Sequence, residues 1–149
     1  LLGELPKESP FFYLMETARN LCLVLEKKAD LGREIRLAYS QEDKETLQEI
    51  ANIKIPVLLQ RLQDFYQSFR TQWNLENKSF GFEVQTVRIG GLLQRLKDVQ
   101  EILNAYLREE IPGIAELNEP QKAFHYFEQN EIRSLNYNLW TDIVSPSKI

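Results

Sequence analysis

A single cysteine, Cys22, is all this sequence offers for thiol chemistry. One thiol closes no internal disulfide and builds no cysteine-rich zinc site. Cys22 falls inside an apolar helical pattern, so it reads as a small core residue and not as a nucleophile. Histidine is as scarce: His125 has no second histidine or cysteine near it and reads as structural. From such a set no metal and no cofactor are expected. Long apolar runs are missing, so no segment is expected to span a membrane. No basic run exceeds Lys27-Lys28, which leaves no polybasic patch for a membrane surface. With 18 basic against 22 acidic residues and a net charge of -4, the chain lacks the basic field of a general nucleic-acid binder. No signal peptide is visible. The chain begins Leu1-Leu2-Gly3, and its one methionine, Met15, already lies in a helical pattern. A native N-terminus and any targeting segment are therefore expected upstream. The compartment expected is the cytoplasm, since a lack of disulfides suits a reducing environment.

Catalytic signatures are missing too. The H-E-x-x-H, P-loop, G-x-G-x-x-G and G-x-S-x-G patterns do not occur. Adjacent carboxylates occur as Glu42-Asp43 and Glu109-Glu110, both in polar junctions where a solvated helix end explains them. No catalytic residue is expected anywhere in the chain.

What is present is helical periodicity. The 149 residues suit one domain, long enough to bury roughly 70% of the unfolded surface without disulfide or metal. Ser9-Pro10 offers a helix start, with Ser as cap and Pro at the first position. Leu14, Ala18, Leu21, Cys22 and Leu25 then recur as one apolar stripe, taken as the buried face. Asp30-Leu31-Gly32 marks a break, and Leu31, Ile35 and Ala38 continue the pattern. Ser40 or Asp43 caps a short helix carrying Leu47, Ile50 and Ala51, and Asn52 to Pro56 punctuates again. Two long helices follow. In the first, Ile55, Leu59, Leu62, Phe65, Tyr66, Phe69 and Trp73 share a face, with Gln60, Arg61, Gln63, Asp64, Gln67 and Ser68 across much of the other. The second runs from Phe82 to about Arg108 on the stripe Leu92, Leu96, Val99, Leu103 and Tyr106. Gly90 and Gly91 lie inside it. Together they cost about 2 kcal/mol relative to alanine, so close packing of another backbone is expected there. After Ile111-Pro112-Gly113, Asn118 with Pro120 and Gln121 suggests a capped helix with Ala123, Phe124 and Phe127. The tail from Leu135 to Ile149 reads as an extended strap. The expected fold is all-α: a helical bundle built on two long antiparallel helices, with a short extended C-terminal strap.

One segment is distinctive. Trp73 closes a long helix, Asn77-Lys78 makes a turn, Gly81-Phe82-Glu83-Val84 makes a step, and Arg88-Ile89-Gly90-Gly91-Leu92 opens the body of the next helix. This arrangement resembles the C-terminal helical domain of certain bacterial glycoside hydrolase family 20 enzymes, the β-N-acetylhexosaminidases. The likeness is strongest from Lys44 to Arg108, looser from Pro10 to Tyr39 and weak from Ile111 onward. Ser79 stands where the family pattern has proline.

The resemblance implies a parent enzyme that removes terminal β-linked N-acetylhexosamine from glycans. Its catalysis would be substrate-assisted, with the acetamido group as nucleophile. The family's catalytic Asp-Glu pair belongs to a separate barrel domain, and this sequence has no Asp-Glu dipeptide. Residues 1–9 then read as a linker from an upstream catalytic domain, and 10–149 as a single helical C-terminal domain. The expected partners are the catalytic barrel of the same chain and a second copy in a homodimer, with no nucleic acid and no membrane. Trp73, Asn77, Lys78, Phe80, Phe82, Glu83 and Arg88 are the candidates for interdomain or active-site-rim contact. Internal locking of one helix to the next is the competing reading of those residues. A stand-alone protein-binding module, or a helical appendage of another glycosidase family, are alternative readings of the whole.

Overall fold

The computed structural model describes residues 9–119. Six α-helices follow in order: α1 (Phe12–Lys28), α2 (Leu31–Ser40), α3 (Lys44–Glu49), α4 (Ile55–Glu76), α5 (Phe82–Leu107) and the single turn α6 (Ala115–Asn118). Among the described residues there is no strand, and the protein is an all-α helical bundle. The expected helix with Ala123, Phe124 and Phe127, the strap from Leu135, His125 and linker residues 1–8 lie outside the described residues.

Local chemistry explains the breaks. Ser9 Oγ accepts the Phe11 N–H at 3.3 Å, so Ser9 organises a turn just ahead of α1. Asp43, not Ser40, caps α3. Its carboxylate accepts the Thr46 N–H at 3.0 Å and the Thr46 hydroxyl at 2.6 Å. Ser40 instead donates to the Leu37 carbonyl. α2 and α5 end alike. Asp43 N–H reaches Ala38 O and Glu42 N–H reaches Tyr39 O, while Glu110 N–H reaches Ala105 O and Glu109 N–H reaches Tyr106 O. This is the Schellman closure, with Glu42 (φ 54°) and Glu109 (φ 61°) in the left-handed position where glycine is usual.

The expected break at Asn52 to Pro56 is absent. α3 runs into α4 through a π-helical segment, Ile50–Lys54. There the backbone N–H reaches back five residues, and the Ile55 N–H bonds Ile50 O. In that register the Ala51 carbonyl would take residue 56 as donor, and Pro56 has no N–H to give. Gln100 on α5 supplies the bond, from Nε2 to Ala51 O at 2.7 Å.

The continuous run of α3, the π segment and α4 lies antiparallel to α5. Lys44 meets Glu109 at one end, Ala51 meets Gln100, Tyr66 meets Thr86, and Trp73 meets Lys78 at the other. The core lies towards the first end. Leu47, Ile50, Ala51, Ile55 and Leu58 are fully buried, with Leu96 and Leu103 of α5 and Ile35 and Ala38 of α2 against them. Each leucine or isoleucine among them contributes roughly 1.5–3 kcal/mol of burial.

α1 packs antiparallel on α4, and here the sequence reading needs two corrections. The apolar stripe assigned to the core faces outward: Leu21 and Leu25 are 39% and 49% exposed, and Ala18 and Cys22 are exposed as well. The buried residues are Thr17 and Val24. Ser68, expected on the solvent side of α4, is buried against α1 and accepts Asn20 Nδ2 at 3.1 Å. The seam is largely polar. Besides Asn20–Ser68 it holds Tyr13 Oη to Glu76 at 3.1 Å, and Arg61 to Leu23 O and Glu26. Hydropathy ranks stripes by apolarity, whereas this helix docks by satisfied hydrogen bonds.

Candidate interdomain surface

The turn from α4 to α5 sorts its residues into an inner set and an outer set. Trp73, on the last turns of α4, places its ring against Phe82 and Phe69, with centroids 5.7 and 6.2 Å away. Its indole N–H donates to the Lys78 carbonyl at 2.9 Å and so closes the turn over the ring. Phe82 is buried among Tyr66, Phe69 and Trp73. Gly81 takes φ +99°, and a Cβ there would meet the Trp73 ring at 3.3 Å. Glycine alone suits both demands. Glu83 reaches back so that its carboxylate accepts the Gly81 N–H at 2.7 Å, leaving a negative charge at the positive start of α5. Trp73, Phe82 and Glu83 therefore lock one long helix to the next.

The outer set is different. Phe80 is 87% exposed and Leu75 64%. Asn77 ends α4, its N–H bonded to Trp73 O at 2.8 Å, and both Asn77 and Lys78 are exposed. Val84 and Val87 continue the exposed apolar surface onto α5, and Arg88 lies on its exposed side. Of the sequence candidates, the structure thus brings Asn77, Lys78 and Phe80 to an outer tip. Leu75, Val84 and Val87 were not among the candidates, which were the aromatic, charged and amide residues of the Trp73-to-Arg88 segment.

Gly90 and Gly91 are exposed, and nothing among the described residues lies within 4 Å of where a Cβ would sit on either. The close packing expected from the pair is not made inside the described bundle. The physical reason is register: the core stripe of α5 turns Leu92, Leu96 and Leu103 inward and leaves the glycines on the outer side.

The far end of the bundle is held by polar clamps. The Arg36 guanidinium donates to the carbonyls of Glu116, Leu117 and Glu119, which are orphaned by the end of α6. Tyr39 Oη accepts the Ile114 N–H and donates to Asn118 Oδ1, both at 3.0 Å, while its ring tilts on Tyr106. Arg95 pairs with Glu116. An apolar hollow of about 120 Å³ between α2, α5 and α6 is lined by Ile35, Val99, Ile102, Leu103, Ile114 and Leu117 among others. That is well under the roughly 300–1,000 Å³ of a small-molecule site.

Three of the four adjacent carboxylates are engaged in local bonds: Asp43 with Thr46, Glu109 with Lys44 and Glu110 with Arg108. The Thr46 side-chain and backbone bonds hold the Asp43 carboxyl below its ordinary value. Lys44 does the same for Glu109, and Arg108 for Glu110. Among the described residues no group of three or more His, Cys, Asp or Glu side chains could hold a metal ion. Nor is any described helix long and apolar enough to cross a membrane.

Set against known protein families, residues 4–136 match the Glycoside Hydrolase 20C C-terminal domain. No curated protein matches the chain.

Proposed function

The chain belongs to the Glycoside Hydrolase 20C C-terminal domain family, and from that premise we propose that it is the non-catalytic helical domain of a β-N-acetylhexosaminidase, packing on the catalytic barrel and aiding dimerisation. The parent releases terminal β-linked N-acetylhexosamine from glycans, and its acid–base machinery lies in the barrel. The observation that carries the packing role is Phe80. A large aromatic side chain, 87% exposed, projects from a turn that Trp73, Gly81 and Glu83 hold rigid from inside. An aromatic side chain carried on a fixed turn docks on a second surface without the cost of ordering its backbone, as interface anchors do.

The same end of the bundle receives the chain. Tyr13 Oη bonds Glu76 at 3.1 Å, so the start of α1 sits beside the end of α4 and its turn. That proximity supports the reading that a barrel upstream of α1 meets the tip. The dimerisation role draws on Gly90-Gly91, flanked by exposed Val84 and Val87. A helix surface without side chains admits a second backbone closely, and the glycine cost of about 2 kcal/mol is then offset.

The experiment is removal of this domain from the full-length glycosidase. The expected result is a lower melting temperature of the catalytic part and reduced turnover of a β-N-acetylglucosaminide. Unchanged stability and turnover would overturn the scaffold role.

A further inference from the structure

The apolar hollow between α2, α5 and α6 falls short of a small-molecule site but matches a single phenyl ring. Its volume is about 120 Å³, and an apolar cavity of roughly 150 Å³ holds one benzene. Ile35, Val99, Ile102 and Leu117 are among its walls, which offer a hydroxyl or a charge almost no partner. The hollow is open on one side, so a side chain enters it from outside. The chain leaves the described bundle from its rim. Leu117 of α6 lines the hollow, and Glu119 follows in extended backbone (φ −70°, ψ 139°). The guanidinium of Arg36, next to Ile35 in the wall, holds the Leu117 and Glu119 carbonyls at 3.2 and 3.3 Å. The point of departure is thereby fixed on α2. The domain runs further, because the family match extends to residue 136.

We propose that residues 120–136 fold back on this hollow and that Phe124 fills it with its ring. Phe124 is the first large apolar side chain after Glu119, preceded by Pro120, Gln121, Lys122 and Ala123. Five residues reach at most about 18 Å, enough to return to a hollow that Leu117 itself lines. A phenyl ring has no polar atom to leave unsatisfied there, unlike the Tyr126 phenol. A ring on so short a tether sits at an effective concentration on the order of millimolar, ahead of any free partner. The chain's other end enters elsewhere. Tyr13 bonds Glu76 beside the α4–α5 turn, and Val99 lies about 25 Å along α5 from Phe82 of that turn. A segment preceding α1 therefore has no comparable route to the hollow.

The test uses the full-length protein with a small diazirine amino acid at Gly32, which lines the hollow and where an added Cβ meets nothing within 4 Å. The expected product is an intrachain crosslink to the tryptic peptide 123–133, read by mass spectrometry. Trypsin cleavage after Lys122 is the second readout. In the native, unsubstituted protein it is expected to be slower than in Phe124→Ala by on the order of tenfold or more, the factor that burying one such ring supplies. Val99→Phe, which puts a ring of α5 into the hollow, should speed the cleavage as Phe124→Ala does. A crosslink to peptides outside residues 120–136, a crosslinked product of twice the mass, or no crosslink at all would overturn the proposal. So would cleavage that Phe124→Ala, or a folded Val99→Phe, leaves unchanged. If Val99→Phe loses its helical circular dichroism, the crosslink and Phe124→Ala decide the matter.

Discussion

Gln100 of α5 donates its side-chain amide to the Ala51 carbonyl at 2.7 Å, in the π segment that leads into α4. The bond answers a deficit created elsewhere. Pro56 deprives the π segment of the N–H that Ala51 would have used, and Ala51 is fully buried. Gln100→Leu should cost about 1–3 kcal/mol, the penalty for a buried acceptor without a partner. Urea denaturation measures it. The cause is specific, so Pro56→Ala, which restores a backbone donor, should shrink the cost of Gln100→Leu. Equal costs in both backgrounds would remove the link between Pro56 and Gln100.

Gly81 is expected to tolerate no side chain. At φ +99° an alanine costs about 1–2 kcal/mol in backbone strain alone. The Trp73 ring, 3.3 Å from the new methyl, adds to that. Gly81→Ala should lower the melting temperature, and Gly81→Ala in a Trp73→Leu background should lower it less. A melting curve unchanged by Gly81→Ala would show that the turn is not built on this contact.

The core around Leu47 of α3 and the outer stripe of α1 should respond differently to truncation. Leu47→Ala, at a fully buried position, should cost about 2–5 kcal/mol in this domain. Leu25→Ala, 49% exposed, should stay within about 0.5 kcal/mol in the same domain. Chemical denaturation of the two variants checks the pair. A large loss from Leu25→Ala would return the stripe to the core.

How far the fold could be read from the sequence follows from these same residues. The long helices were legible because Ile55, Leu62, Leu96 and Leu103 repeat over many turns and face one core. The Trp73-to-Gly91 segment was legible as a family pattern before any contact was known. The orientation of α1 was not, since periodicity shows that stripes exist and hydropathy picks the more apolar one. Asn20 and Ser68 dock by a hydrogen bond, which hydropathy does not register, and the buried Thr17 hydroxyl is satisfied by the Tyr13 carbonyl of its own helix. The π segment was also hidden, because Pro56 reads as a helix start unless Gln100 is known to lie opposite. Of the candidate surface, the locking role of Trp73, Phe82 and Glu83 needed geometry. Only their neighbourhood was apparent in sequence.

Stability should fall on the acid side. The Asp43 carboxyl is held below its ordinary value by its bonds to Thr46. A depressed folded-state pKa means stabilisation that is present above the unfolded carboxylate value, about 3.9, and lost as pH falls through the lower folded value. Glu109 and Glu110 are shifted the same way by Lys44 and Arg108. Melting temperature against pH should therefore drop steepest below about pH 4, and Asp43→Asn should flatten part of that drop. An identical acid profile for Asp43→Asn would detach the cap from it.

The most direct measurement is hydrolysis of a chromogenic β-N-acetylglucosaminide by this chain alone, beside the full-length enzyme. The expected result is no turnover by the chain and turnover by the parent, with chemistry in the barrel and support in the bundle. Turnover by the chain itself would contradict this and place an active site among residues here assigned to packing.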